Sequence, residues 1–171
     1  MAEFKFIKLL KFRNVPIYVH WSLGIVMLFV IVASFQYSFL IISVVSILFV
    51  TLIHELGHLL LANKLGLKTV RINMYLTHAS CERQLAKTDY ANYLVAWGGV
   101  LAQAVVFIPC IIIFHLFIDE LAGYLLISLF FLGHVSFLMA LFNLLPFPSF
   151  DGGSCWKIIP LYFKDKKNRS I

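Results

Sequence analysis

The sequence predicts an all-α polytopic membrane protein, with a four-span helical core, a small membrane-associated β-hairpin and a broken fourth helix. Residues 1–171 form a single domain. Three observations predict this. Apolar residues make up 61% of the chain and charged residues 13%, against about 45–50% and about 25% in a typical soluble domain. A soluble globule of this size could not bury so much apolar side chain, and the composition also excludes a disordered, collagen-like or coiled-coil chain. The apolar residues fall in long charge-free runs. The charged residues, which are predominantly basic, lie at the ends of those runs.

The runs place the elements in order. No charged residue lies between Arg13 and Glu55, a stretch too long for one helix across about 30 Å of hydrocarbon, which takes about 20 residues. Its polar break at Ser34, Gln36, Tyr37 and Ser38 divides it into spans at about 19–36 and 39–62. Ala91 to Ile118 carries no formal charge, giving a third span at about 91–118, and a fourth follows at about 121–145. Asp119, Glu120 and Gly123 mark the turn between them. Pro146 and Pro148 then break the helix, because each removes an amide donor and disfavours helix in the residue before it. A short helix at about 151–163 follows the break.

In the four-span arrangement all 14 Lys and Arg residues fall on one side, and the connection on the other side carries Asp119 and Glu120. By the positive-inside rule both termini are cytoplasmic, which suggests a bacterial or archaeal plasma membrane. A removable signal peptide fits less well, since no small-residue cleavage site precedes the second span. The basic excess does not indicate nucleic acid, because no basic patch is interleaved with aromatic residues. Cys81, Cys110 and Cys155 are odd in number and widely spaced, and suggest no disulfide framework.

The stretch between the second and third spans differs. Val70, Ile72, Met74 and Leu76 alternate with Arg71, Asn73, Tyr75 and Thr77. That is the period of a strand, part of a hairpin at about 68–84. An exposed edge on segment 70–77 could pair with an extended peptide, although a hairpin that simply closes the cytoplasmic face would read the same way.

The chemistry is carried by His54-Glu55-Leu56-Gly57-His58. Residues four apart lie on one helix face, so two imidazoles can reach one zinc ion, with Glu55 placed to address a metal-bound water. The motif sits inside an apolar span, nine residues before Lys64, where ionisable groups are costly and functional by default. A polar cluster joining helices would not require this spacing. Catalytic zinc commonly has three protein ligands, and Asp151, between the Pro-Phe-Pro break and Gly152-Gly153, is the best third candidate. It could equally be an N-cap for the last helix.

The whole chain resembles the site-2 protease family of intramembrane zinc metalloproteases. The resemblance rests on HExxH in the second span, Gly98-Gly99 in the third, and Asn143-Leu-Leu-Pro146-Phe-Pro148-Ser-Phe-Asp151-Gly152, which fits the pattern NxxPxPxxDG. It implies that His54, His58 and Asp151 hold one Zn2+ per chain. Glu55 would be the catalytic acid/base that activates the zinc-bound water, and Asn143 would support the substrate carbonyl or oxyanion. It further implies a transmembrane protein substrate cut within or near its membrane segment, the lipid bilayer as surroundings, and a regulatory membrane protein as a further partner. A catalytically silent homologue with a regulatory or binding role and, less favoured, a metal-ion transporter are the alternatives.

The chain departs from the family pattern in places. Val100 and Gln103 stand where the family often has Pro and Asn, so no site role is expected of Gln103. The loop after the second span is too short for a PDZ domain, and the chain ends before the nucleotide-binding domain that some members carry, so it reads as a minimal catalytic core. Elsewhere, His78 with Cys81 reads as structural, His20 as an interface anchor, and His115 and His134 as packing or water-facing, with a helix–helix hydrogen bond at Ser136 an equal alternative.

Overall fold

The structure, a computed structural model, describes residues 6–75 and 78–161. Among the described residues, three helical segments are long and apolar enough to cross a membrane. These are α2 (Phe39–Lys64), α3 (Asp89–Leu116) and the continuous segment from Gly123 to Asn143. The last runs as α4 (Gly123–Phe130), a π-helical turn (Phe131–Val135) and α5 (Ser136–Asn143). Helix α1 (Trp21–Ser34) is apolar but shorter, and α6 (Gly152–Cys155) is a single turn. Phe29, Val105, Leu116 and Phe142 stand well exposed on the helices, which is the surface that lipid requires. The protein is an integral, multi-pass membrane protein.

The membrane fold class stands, with two differences from the sequence reading. The first span is shorter than 19–36, because Val19 and His20 belong to a strand and the 14 residues of α1 begin at Trp21. At about 1.5 Å per residue the helix is roughly 21 Å long, less than the hydrocarbon core. The second difference is that the described residues form four strands. β1 (Phe6–Phe12) and β2 (Val15–His20) form a hairpin before α1, while β3 (Thr69–Met74) and β4 (Ala79–Arg83) form the expected one. Arg13 and Asn14 both adopt positive φ, 46° and 65°, at the first turn, the backbone of a two-residue hairpin. Arg is an unusual residue there, so the turn left little trace in the sequence.

The sheet order is β1-β2-β3-β4, with β2 parallel to β3 and both hairpins antiparallel. This corrects the expected exposed edge at 70–77. β3 is paired on both sides, and the edge on that hairpin belongs to β4. Leu76 and Thr77 of the expected strand lie outside the described residues, as do the end of the expected 151–163 helix and the basic tail. One sheet face packs on α2, where Val15, Ile17, Ile72 and Met74 surround Leu59. His20 closes β2 and caps α1, its Nδ1 accepting from Ser22 N at 3.4 Å. His115 Nε2 and His134 Nε2 meet at 3.2 Å between α3 and the π turn, a pairing that the sequence reading does not foresee.

Helices α2 and α3 approach more closely than any side chain would allow. A Cβ added to Gly98 would lie 2.5 Å from Gly57 O, and one added to Gly57 would collide with Gly98 O. Small residues permit such contact between membrane helices. Gly98→Ala is expected to force the helices apart and to lower stability by at least about 1–3 kcal/mol, the usual cost of overpacking. Gly24, with nothing within 4 Å of an added Cβ, provides the control. Thermal unfolding in detergent should fall clearly for Gly98→Ala and stay near the parent value for Gly24→Ala.

Candidate metal centre

His54, Glu55 and His58 lie on the buried stripe of α2 with Ser43, Ser46, Val50 and Gly57. The stripe follows helical spacing, so the two imidazoles lie one turn apart and meet edge to face, their ring centroids 4.7 Å apart. The chain after α5 supplies the third group. α5 stops at Asn143, and the Pro146–Pro148 turn brings Asp151 back toward α2. The turn is fastened at three points. Trp156 Nε1 donates to Leu144 O at 2.6 Å, Trp97 Nε1 donates to Cys155 O at 3.2 Å, and the two indoles meet edge to face. Gly152 allows the close approach, since a Cβ there would strike the Leu144 and Leu145 carbonyls. Asp151 precedes α6 but its side chain makes no capping hydrogen bond, so the N-cap reading is not what holds it.

Three atoms converge. His54 Nε2 lies 2.8 Å from Asp151 Oδ2, His58 Nε2 lies 3.1 Å from the same oxygen, and the two Nε2 atoms are 3.0 Å apart. The opposite ring nitrogens are already engaged. His54 Nδ1 pairs with Gln103 Oε1 at 2.9 Å, and His58 Nδ1 with Val95 O at 2.9 Å. A carbonyl oxygen can only accept, so each Nδ1 carries the proton and each Nε2 presents a lone pair inward. Asp151 Oδ2 is buried and accepts no hydrogen bond. Two lone pairs and a carboxylate oxygen facing one another without a proton repel unless a cation lies among them. The cluster is therefore able to coordinate a metal ion, and its donor set of two imidazoles and one carboxylate suits zinc.

Gln103 was expected to have no role here. The structure overturns that, since the residue is 0% exposed, lies four residues beyond Gly99 on α3 and orients His54. Its signal in the sequence was a buried-span amide one helical turn from the Gly98-Gly99 contact. Gly99 has its own function, because a Cβ there would sit 2.6 Å from His54 Nε2.

Glu55 is 6% exposed and lines a cavity of about 690 Å³ together with His54, His58, Asp151 and Asn143. β4 forms another wall through Ala79, Ser80, Cys81 and Arg83. His78 also borders the cavity, its ring stacked on Tyr75 at 4.5 Å. Burial pushes the Cys81 thiol up to about 12, so it stays a neutral thiol at physiological pH and a poor metal ligand. Gln103→Leu is expected to weaken zinc affinity about 10–100-fold, the usual cost of losing a group that orients a ligand. Competition with a chelator would measure this, with thermal unfolding checking that the fold persists.

The sequence signature of Peptidase family M50 matches residues 42–105, which run from near the start of α2 through β3 and β4 into α3. The chain is 32% identical over 120 residues to a Synechocystis sp. protein that carries a zinc-metalloprotease name, a match covering 69% of this chain and 31% of that protein. The chain thus spans about a third of the length of that relative. The fold is similar to that of the site-2 protease from Methanocaldococcus jannaschii, with a TM-score of 0.70 and 21% identity over 90% of this chain and 71% of the other. The HExxH helix thus lies within the stretch that matches peptidase family M50, and the metal-competent His54–His58–Asp151 cluster sits in a fold similar to that of a site-2 protease.

Proposed function

We propose that the protein is an intramembrane zinc metalloendopeptidase that hydrolyses peptide bonds within or near transmembrane segments of other membrane proteins. The observation that carries this reading is the convergence of two inward-facing imidazole lone pairs and the Asp151 carboxylate within 3.1 Å, inside apolar helices and beside a cavity that Glu55 lines. His54, His58 and Asp151 would hold one Zn2+, which when bound supplies Lewis acidity to acidify a water and polarise a peptide carbonyl.

The remaining work belongs to the chain's own groups. The Glu55 carboxylate takes a proton from the attacking water and returns it to the departing amide nitrogen. Asn143, at the end of α5 on the same cavity, donates from its side-chain amide to the substrate carbonyl oxygen. A helical substrate hides its carbonyls in internal hydrogen bonds and must unwind before cleavage. The edge of β4, on the cavity wall, would hold the unwound segment by strand pairing. The basic residues on the sheet side support a cytoplasmic location for the sheet, the cavity and both chain ends. The partners implied are a transmembrane protein substrate, the bilayer and a regulatory membrane protein.

Purified protein should contain about one zinc per chain, and Asp151→Ala should lose most of it by elemental analysis. Glu55→Gln should retain the metal yet cleave no transmembrane substrate. Cleavage at the parent rate by Glu55→Gln would remove Glu55 as the base.

A further inference from the structure

The cavity wall carries a charged side chain that the mechanism above leaves unused. Arg83 ends β4 and is the single Lys or Arg among the described residues lining the cavity. Strand alternation separates it from its neighbour. Cys81 and Arg83 border the cavity, whereas Glu82 turns to the other face and accepts from Arg71 Nε at 2.8 Å and Asn73 Nδ2 at 2.6 Å. Arg71 therefore has a counter-ion. Arg83 has none within 4.0 Å among the described residues, whose ion pairs join His54 and His58 to Asp151 and Arg71 to Glu82.

Arg83 is nevertheless held in place. Its Nη1 donates to Gln84 O and to Asn92 Oδ1, both at 3.2 Å. Asn92 is itself fixed, accepting from Ala86 N at 2.9 Å and donating to Ala86 O and Thr88 O at 3.1 and 3.2 Å. One nitrogen of the guanidinium is anchored, the other two make no hydrogen bond among the described residues, and the side chain borders the cavity that Glu55 and Asp151 also line. A planar fork of N–H donors that is always charged matches a carboxylate.

We propose that Arg83 is a specificity residue that reads a carboxylate on the substrate, an acidic side chain flanking the scissile bond. The proposal rests on the peptidase reading above. A peptide paired with β4 presents alternate side chains to the cavity, about 3.3 Å per residue. The acidic position then falls about two residues from the side chain that lies over Cys81.

The test is binding of fluorescent synthetic single-span peptides to zinc-loaded Glu55→Gln protein in neutral detergent, followed by anisotropy. The peptides differ only in carrying Glu, Gln or Lys at successive positions, each with a free or amidated C-terminus. Glu at one or two positions is expected to bind about 5–10-fold more tightly than Gln, the scale of a partly exposed charge pair. Arg83→Gln should erase that preference and Arg83→Glu should turn it toward Lys, with zinc content unchanged in both. A preference that follows the free C-terminus would keep the carboxylate reading and assign it to a chain end. Equal binding of Glu and Gln peptides at every position would overturn the proposal. So would an Arg83-dependent affinity for phosphatidylglycerol micelles with no peptide preference, which would make Arg83 a lipid-phosphate contact. If no peptide binds at all, the peptidase reading fails together with this one, whereas binding without acidic preference counts against Arg83 alone.

Discussion

The backbones of α2 and α3 touch at Gly57 and Gly98, and the metal centre depends on that contact. Both histidines sit on α2, while the groups that set their protonation, Val95 O and Gln103 Oε1, sit on α3. The two acceptors lie eight residues apart, just over two turns, and meet histidines one turn apart on the facing helix. Side chains between the helices would widen the gap beyond hydrogen-bonding reach, and each imidazole would be free to change tautomer or rotate. In water a lost orienting bond is replaced cheaply. Within an apolar helix pair it is not, since no solvent can take over.

The third group comes from a different kind of structure. α2 and α3 are continuous helices, whereas Asp151 rides on a proline-interrupted turn whose backbone is tied to α5 and α3 by two indole N–H groups. Irregular backbone at membrane depth is tolerated where it is buried in protein or borders a polar cavity, and this turn borders the cavity through Pro148, Ser149 and Phe150. The arrangement separates rigid positioning of the imidazoles from a carboxylate delivered by a fastened loop.

Much of this was legible in the sequence because membrane burial makes polar residues conspicuous. His54, Glu55 and His58 stood out in an otherwise uncharged run, and Asp151 followed two prolines that had to end a helix. Other features had no comparable signal. β1 reads Phe-Ile-Lys-Leu-Leu-Lys-Phe, a basic apolar leader with no strict alternation, and its turn uses Arg13 and Asn14 where Asn-Gly would have announced a hairpin. With the first hairpin hidden, the sequence reads as a first span that runs through the end of β2 and as an open edge on β3. Gln103 departs from a family pattern, although an amide buried in a span needs a partner whatever its ancestry.

The parallel pairing of β2 with β3 joins strands on either side of the α1–α2 helical hairpin, with Ile17 set against Ile72. That register cannot form during synthesis until both helices have entered the bilayer and the chain has returned. β1 and β2 must wait at the membrane surface as a lone two-stranded ribbon, which is marginal in water, with Ile7 and Leu9 exposed. Leu59, one residue beyond His58, then buries against the completed sheet. Assembly is thereby ordered in time: the wall of the cavity closes only after the helix that carries the histidines is in place, so a half-inserted chain presents no finished cleft to its neighbours.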